Sequence, residues 1–148
     1  MQKITELDNG LRIVTQNMPG LETVSMGIWN YVGGRDETKE INGVAHLLEH
    51  MAFKGTKTKN ALQIAETIEN VGGDINAYTS KEITAYYVKL LADDLPYGID
   101  ILTDILHVAG TKLFGEVVKT QSFEALQVGV ATTADEDGHQ RGVRISTS

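Results

Sequence analysis

The chain has 148 residues, 41% of them hydrophobic and 22% charged, which are ordinary values for a globular domain with one core. Its net charge of −7 argues against nucleic acid as a partner, because a duplex-binding surface needs clustered Lys and Arg. No apolar run approaches the roughly 20 residues that cross a bilayer, and no signal or transit peptide is recognised, so a cytoplasmic, bacterial-type location is expected.

The first third of the chain predicts three strands. Lys3 to Leu7 and Leu11 to Thr15 flank an Asn9-Gly10 pair, which is typical of a tight hairpin turn because both residues tolerate positive φ. Thr23 to Val32 is β-branched and aromatic, and it is apolar on both faces, as in a central strand. Gly33-Gly34 ends this strand.

Two helices are predicted next. The segment from Gly43 to Met51 lacks proline and is rich in helix-favouring residues, and Asn42 is its expected N-cap. Asn60 is expected to cap the second helix, which Gly72-Gly73 ends. The apolar residues of this second helix recur at helical period and are Ala61, Leu62, Ile64, Ala65, Ile68 and Val71.

A hairpin and a third helix complete the predicted elements. Ile75 to Thr79 and Ile83 to Leu91 read as paired strands, and Asp94 and Pro96 start a helix. The apolar stripe of this helix is Leu95, Ile99, Leu102, Ile105 and Leu106. The order β-β-β-α-α-β-β-α predicts an α+β fold with a mixed, largely antiparallel sheet and helices packed on one face.

The pentad His46-Leu47-Leu48-Glu49-His50 is the most informative motif, an H-x-x-E-H that inverts the H-E-x-x-H zinc signature. On a helix, His46 and His50 project from one face, one turn apart. Two neutral imidazoles so placed bind one Zn²⁺ at about 2.1 Å each, so their nearest nitrogens should lie roughly 3–4 Å apart. The chain has no cysteine, so any metal ligands must be His or carboxylate.

Glu49 lies beside these two histidines and could accept a proton from a water at the metal. The alternative interpretation of the pentad is a buried helix that carries two histidines by chance.

Residues 1–106 resemble the N-terminal part of pitrilysin/insulinase-type zinc metallopeptidases (inverzincins), most of all the group of mitochondrial processing peptidase β-subunits and their bacterial relatives. Several ordered blocks carry the resemblance. They are Leu7-Asp8-Asn9-Gly10-Leu11, Gly33-Gly34-Arg35-Asp36-Glu37, the segment from Gly43 to Thr56 around the pentad, Gly72-Gly73-Asp74-Ile75-Asn76-Ala77-Tyr78-Thr79 and Thr84-Ala85-Tyr86-Tyr87.

The resemblance implies a zinc endopeptidase that acts on extended peptides, for example in peptide or presequence processing. It implies that His46 and His50 are zinc ligands, that Glu49 is the general base, and that Asn76 and Ala77 pair with the substrate backbone. Read without the family, Asn76 and Ala77 are only strand residues near a turn. Family members enclose the substrate between two halves or subunits, so a second domain or subunit is the expected partner.

The family pattern is not followed from His107 onward, and 107–148 is predicted to be a divergent tail, either truncated or disordered. The third zinc ligand of the family is a Glu roughly 75 residues beyond the second His, which falls at Leu126 without gaps. If Gly115 to Val128 forms a helix and the alignment shifts by two residues, Glu124 takes this position. Glu116 is the weaker candidate, and the two remaining histidines, His107 and His139, are expected on the surface.

Two functional hypotheses follow from the sequence. The first is a zinc-dependent metalloendopeptidase module. The second is a truncated or frame-shifted, non-catalytic relative that acts at most as a subunit or peptide-binding fragment. A purely structural zinc domain is disfavoured, because two histidines with a neighbouring free Glu form an open site.

Overall fold

The computed structural model describes residues 2–8, 10–112 and 126–132, of which 108–112 and 126–132 are described through their backbone. Within these residues the strands and helices are β1 (Gln2–Glu6), β2 (Arg12–Asn17), β3 (Thr23–Asn30), α1 (Val44–Ala52), α2 (Ala61–Glu69), β4 (Asp74–Thr79), β5 (Thr84–Leu91), α3 (Leu95–Lys112) and β6 (Leu126–Thr132). The strands form one sheet in the order β1-β2-β6-β3-β5-β4. Only the β2–β6 pair of this described sheet is parallel, which confirms the predicted α+β class with a largely antiparallel sheet.

The core lies between one face of this sheet and the helices. Alternate residues of β3 and β5 point to that face and are buried, because successive side chains of a strand point to opposite sides. These strand residues are Val24, Met26, Ile28, Tyr86, Val88 and Leu90. The helix residues packed against them are Ala52, Ile64, Ile68, Leu95, Ile101, Leu102 and Ile105. The helices therefore cover a single face, as predicted.

The predicted turns and caps are largely confirmed. The β1–β2 hairpin pairs Gln2 with Gln16, and Gly10 at its turn has a φ of +83°, while Asn9 lies outside the described residues. Asn60 accepts a hydrogen bond from the Gln63 N–H at 2.9 Å, and the Gln63 side chain closes the capping box. Of the apolar residues that recur at helical period in α2, Ile64 and Ile68 are buried, whereas Ala61 is exposed and Leu62 is 65% exposed.

Secondary structure continues beyond residue 106. Helix α3 extends to Lys112, and β6 pairs with β2 on one side and β3 on the other. The predicted helix over 115–128 is wrong for 126–128, which are extended; β-branched Val128 and Val130 favour a strand. Because β6 joins the β1–β2 hairpin to the rest of the sheet, it belongs to the fold. The division at residue 106 stays a prediction, and 133–148 lie outside the described residues.

The sheet face opposite the helices carries a group of aromatic side chains. The Trp29 indole lies over Gly27, where an added Cβ would come within 2.5 Å of the ring. Its Nε1–H donates to the Tyr78 hydroxyl at 3.3 Å, and the Tyr78 and Tyr87 ring centroids are 6.3 Å apart. The expectation that β3 is apolar on both faces is wrong for its first half, because Thr23 and Ser25 are exposed on this face. One face packs on the helices, and the other supports a cross-strand aromatic row.

Polar side chains join the α1–α2 connection to α3. We call this group the polar clasp; it consists of Thr56, Thr58 and Lys59 with Asp100 and Asp104. Thr56 and Thr58 both donate to Oδ2 of Asp104, the second at 2.5 Å. Lys59 forms an ion pair with Asp100 at 2.8 Å, one turn earlier on α3. Partial burial tends to raise the pKa of Asp104. The two hydroxyl donors, together with the charges of Lys59 and His107, outweigh it, and the pKa lies below its ordinary value.

The clasp makes stability depend on pH. Because the pKa of Asp104 is lowered in the folded state, its stabilisation is fully present above the unfolded value and is lost as pH falls through the folded one. Asp104→Asn should therefore cost about 1 kcal/mol at neutral pH and progressively less below about pH 4, measured by urea unfolding.

Asp100→Asn is the matched control for this change. Its carboxylate is 65% exposed, so its ion pair should contribute little at any pH. An Asp104→Asn effect that stayed constant from pH 7 to pH 3 would contradict the role of the charged carboxylate.

Candidate metal centre

Helix α1 brings the two histidines of the pentad to one exposed face. His46 and His50 are both exposed, whereas Ala45 and Ala52 of the same helix are buried against the core. The buried alanines fix the rotation of the helix about its axis, and the histidines consequently face outward. The predicted helix is confirmed.

The start of α1 is capped in a way that the sequence did not predict. Asn42 is not the N-cap. That position is Gly43, whose φ of +90° is a conformation that favours glycine. A glycine has no side chain to cap with, and Glu37 takes over this role. Its two carboxylate oxygens accept the N–H of Gly43 at 2.6 Å and the N–H of Ala45 at 2.8 Å.

The loop that carries Glu37 is itself held by the β4–β5 hairpin. The Gly34 and Arg35 N–H groups donate to the Ser80 and Lys81 carbonyls at 3.1 and 2.8 Å. Gly33 lies so close to this turn that an added Cβ would come within 2.7 Å of the Glu82 nitrogen. Gly33 therefore allows the loop to dock and to hold Glu37 at the helix.

The histidine pair has the geometry of a metal half-site. The Nε2 atoms of His46 and His50 are 3.1 Å apart, and the ring centroids are 4.6 Å apart. A tetrahedral zinc with bonds of 2.0–2.1 Å places two nitrogen ligands about 3.3–3.4 Å apart. The separation expected from the sequence is confirmed, and the two nitrogens could bind one metal ion with little movement.

Glu49 lies on the same helix beside this pair, with its side chain half-buried. His46, Glu49 and His50 do not form a cluster of three ligands. Among the described residues, no group of three or more His, Asp or Glu side chains is arranged to hold a metal ion. Within the same residues, Glu49 accepts no hydrogen bond.

A buried tyrosine packs at the end of α1, the helix that carries Glu49. Tyr86 of β5 is 2% exposed, and its ring packs against Phe53 at the end of α1, with centroids 6.5 Å apart. Burial, and secondarily the charge of Glu49, raise the pKa of Tyr86 to about 12. The hydroxyl therefore stays protonated at neutral pH.

Asn76 and Ala77 lie on β4, at the edge of the described sheet and next to α1. Ala77 pairs with Tyr86 and faces the helices, whereas Asn76 pairs with Tyr87 and faces away. The Ala77 N–H donates to Asn76 Oδ1 at 2.8 Å. In an antiparallel ladder alternate N–H groups point away from the partner strand, so this one lies toward the open edge.

The donor set fits zinc incompletely. Imidazole nitrogens suit zinc, but catalytic sites take three protein ligands, and the described residues bring two together. The carboxylates considered for the third position, Glu116 and Glu124, lie outside the described residues. Residue 126 belongs to β6, and leucine has no ligand atom.

The sequence did not single out Glu37 or Tyr86. Local capping patterns cover residues within three positions of a helix start, and Glu37 acts from six and eight residues away. Alternation along β5 could have placed Tyr86 on the buried face, but nothing in a single sequence brings its hydroxyl toward α1.

A family model described as "Insulinase (Peptidase family M16)" matches residues 12–133. The match runs past residue 106, where the resemblance was expected to end, and includes β6. Within the described residues, no helix is long and apolar enough to span a membrane. The cytoplasmic location stays a prediction.

Several relatives are similar in sequence over part of their length. An uncharacterized zinc protease of Streptomyces coelicolor is 44% identical over 134 residues, which are 90% of this chain and 28% of that protein. A zinc protease of Bacillus subtilis is 52% identical over 66% of this chain and 24% of its own length. The mitochondrial-processing peptidase β-subunit of Blastocladiella emersonii is 50% identical, over 70% of this chain and 22% of its own. The chain thus spans about a quarter of these relatives.

Two solved structures share the fold. A protease from Helicobacter pylori superposes with a TM-score of 0.75 at 17% identity, over 93% of this chain and 47% of that one. The periplasmic protease PqqL of Escherichia coli gives a TM-score of 0.74 at 20% identity, over 92% of this chain and 22% of that one. At such identities the likeness concerns the fold alone.

Removal of the Glu37 cap should destabilise the fold, starting at α1. Glu37→Ala leaves the Gly43 and Ala45 N–H groups without their acceptor, which should cost about 1–2 kcal/mol in chemical unfolding. Glu40→Ala, on the same loop, is the control, because that carboxylate interacts with Thr38 and its own backbone. Equal effects of the two changes would contradict the capping role.

Proposed function

The chain belongs to the insulinase family of peptidases, peptidase family M16, and on this premise we propose that it is the zinc-binding part of a metalloendopeptidase that hydrolyses extended peptides. The observation that carries the proposal is the pair of Nε2 atoms 3.1 Å apart on α1, with Glu49 beside them on the same helix. The zinc in the names of the relatives supports the same metal here.

His46 and His50 would hold the zinc through Nε2. When bound, Zn²⁺ polarises a carbonyl and lowers the pKa of water. Glu49 would accept a proton from the attacking water and pass it to the leaving amine nitrogen. Its half-buried position supports this role, since partial exclusion of water strengthens the interaction of a carboxylate with nearby charge.

The peptide substrate would bind along β4. This strand lies at the edge of the described sheet, beside α1, so an added strand would run past the histidines. Strand addition uses main-chain hydrogen bonds and therefore accepts peptides of many sequences. Ala77 would offer its N–H to a substrate carbonyl, and Asn76, which now accepts this N–H, would turn toward the peptide.

A second domain or subunit would complete the site. The chain spans about a quarter of the relatives it matches, and the two histidines are exposed in the part of the chain that the structure describes. A further half placed over α1 and β4 would shield the peptide from water and supply contacts on its other side. Processing of peptides or presequences is the proposed role of the assembled enzyme.

A non-catalytic role is the second candidate. It is favoured by the donor set of the described residues, which places two ligands rather than three at the metal position. Such a protein would use β4 to bind peptides as a subunit and would not hydrolyse them.

Zinc stoichiometry after dialysis tests the proposed metal site. The chain should retain zinc, and His46→Ala should lose it, because removing one imidazole leaves a single described ligand. Glu49→Gln should retain zinc, since the carboxylate is not a ligand, and should lower any hydrolysis by roughly 10²–10⁴-fold, the usual value of proton transfer by a placed side chain.

His107→Ala is the control for this experiment, because His107 is an exposed histidine on α3 rather than part of the pair. Loss of zinc in Glu49→Gln would make Glu49 a ligand and reject its assignment as the base. Zinc binding without hydrolysis in an assembly with a second half would favour the non-catalytic candidate. A chain that binds no zinc would reject the metal site itself.

A further inference from the structure

We propose that Tyr86 is a positioning residue for Glu49. A rotation of the Glu49 side chain lets the buried Tyr86 hydroxyl donate a hydrogen bond to the carboxylate, and this bond fixes the direction in which the carboxylate faces the histidine pair. The inference rests on the proposed function, because it assigns an orienting partner to the proposed general base. It concerns a contact between two side chains of this chain, and it can be tested without metal or substrate.

The fold places Tyr86 directly under α1. On β5 it lies opposite Ile28 of β3 and Ala77 of β4, on the sheet face that the helices cover. Its ring packs against Phe53, the residue that ends α1, and it shares the core cluster with Ala52. The ring therefore has little freedom, and Glu49 lies one turn before Phe53 on the same side of α1.

The Tyr86 hydroxyl is a buried donor that needs an acceptor. The oxygen is inaccessible to solvent and has no hydrogen-bond partner among the described residues. Buried polar groups are hydrogen-bonded in the great majority of proteins, and one that is left unpaired costs the desolvation of that group. Its position next to the metal half-site, rather than elsewhere in the core, calls for an account in terms of the site.

Glu49 is the acceptor that the surroundings offer. It shares a side of α1 with Phe53, which packs on the Tyr86 ring, and its charge contributes to the raised pKa of Tyr86. Glu49 accepts no hydrogen bond within the described part of the chain, and it is half-buried. The Tyr86 hydroxyl lacks an acceptor, and the Glu49 carboxylate lacks a donor. A rotation of the Glu49 side chain would bring the two groups together.

Such a bond would orient the proposed base without neutralising it. A phenol with a pKa near 12 donates a hydrogen but does not release it at neutral pH. The second oxygen of the carboxylate remains available to a water at the metal. A side chain held by one partner also loses fewer rotamers on reaching its reactive position, which is the advantage of a preorganised site.

Tyr87→Phe is the matched control, because Tyr87 is the next residue on β5 and points to the opposite face of the sheet. Tyr86→Phe removes the hydroxyl and keeps the ring, so the packing on Phe53 should remain. The probe is the hydroxyl proton itself, observed by NMR on the metal-free chain of 148 residues. A buried hydroxyl bonded to a carboxylate exchanges slowly with water and gives a separate downfield resonance.

We expect this resonance in the parent chain and in Tyr87→Phe, its loss in Tyr86→Phe, and an upfield shift in Glu49→Gln. Tyr86→Phe should also broaden the rotamer distribution of Glu49, measured by its side-chain couplings, while zinc affinity stays unchanged. A merely structural tyrosine would not change these couplings.

A hydroxyl resonance that is the same in Glu49→Gln would mean that Tyr86 donates elsewhere and would overturn the inference, as would a rapidly exchanging hydroxyl. Neither result depends on zinc binding. Failure of the metal site would instead appear as a chain that keeps the Tyr86–Glu49 resonance but binds no zinc, so the two failures are distinguishable.

Discussion

The candidate site depends on one interaction, the capping of the start of α1 by the Glu37 carboxylate. Its two oxygens accept the first free N–H groups of the helix, at Gly43 and Ala45. A helix start leaves such groups unpaired, and a negative charge there also interacts favourably with the helix dipole. The loop that holds Glu37 is bonded to the β4–β5 turn. Helix α1 is therefore joined to the same hairpin that supplies the proposed peptide-binding edge.

This connection gives the parts of the site a common frame. The buried face of α1, through Ala45 and Ala52, sets the rotation of the helix, and the cap sets its starting point. At the other end of the helix, Phe53 packs on Tyr86 of β5. The positions of the two exposed histidines are therefore fixed by contacts that are largely buried. The candidate site is preorganised in this sense, since the two Nε2 atoms already lie 3.1 Å apart.

The sequence predicted the features that depend on neighbours along the chain. H-x-x-E-H spacing on a helix brings His46 and His50 together, whatever the rest of the fold, and Asn60 with Gln63 forms a capping box from local geometry. The features it did not predict depend on residues distant along the chain. Strand β6 joins β2 and β3 from more than 90 positions away, a pairing that no local pattern reveals.

Two details in the site region have the same origin. Asn42 has the residue type of an N-cap, but the positive φ of Gly43 moves the helix start by one residue and gives the capping role to Glu37. Leu62 has the spacing of a core residue, but α2 buries Ile64 and Ile68 and leaves Leu62 on the outer side. Residue type and hydrophobic periodicity limit the possible helix starts and buried faces, and tertiary contacts determine which of them forms.

The central claim is that His46 and His50 bind one zinc ion through Nε2 while Glu49 stays off the metal. Zinc X-ray absorption on the loaded chain tests it directly. The account predicts two imidazole nitrogens at about 2.0–2.1 Å, with oxygen in the remaining positions, and the same spectrum for Glu49→Gln. A spectrum without imidazole scattering, or one in which Glu49→Gln removes an oxygen neighbour, would contradict it.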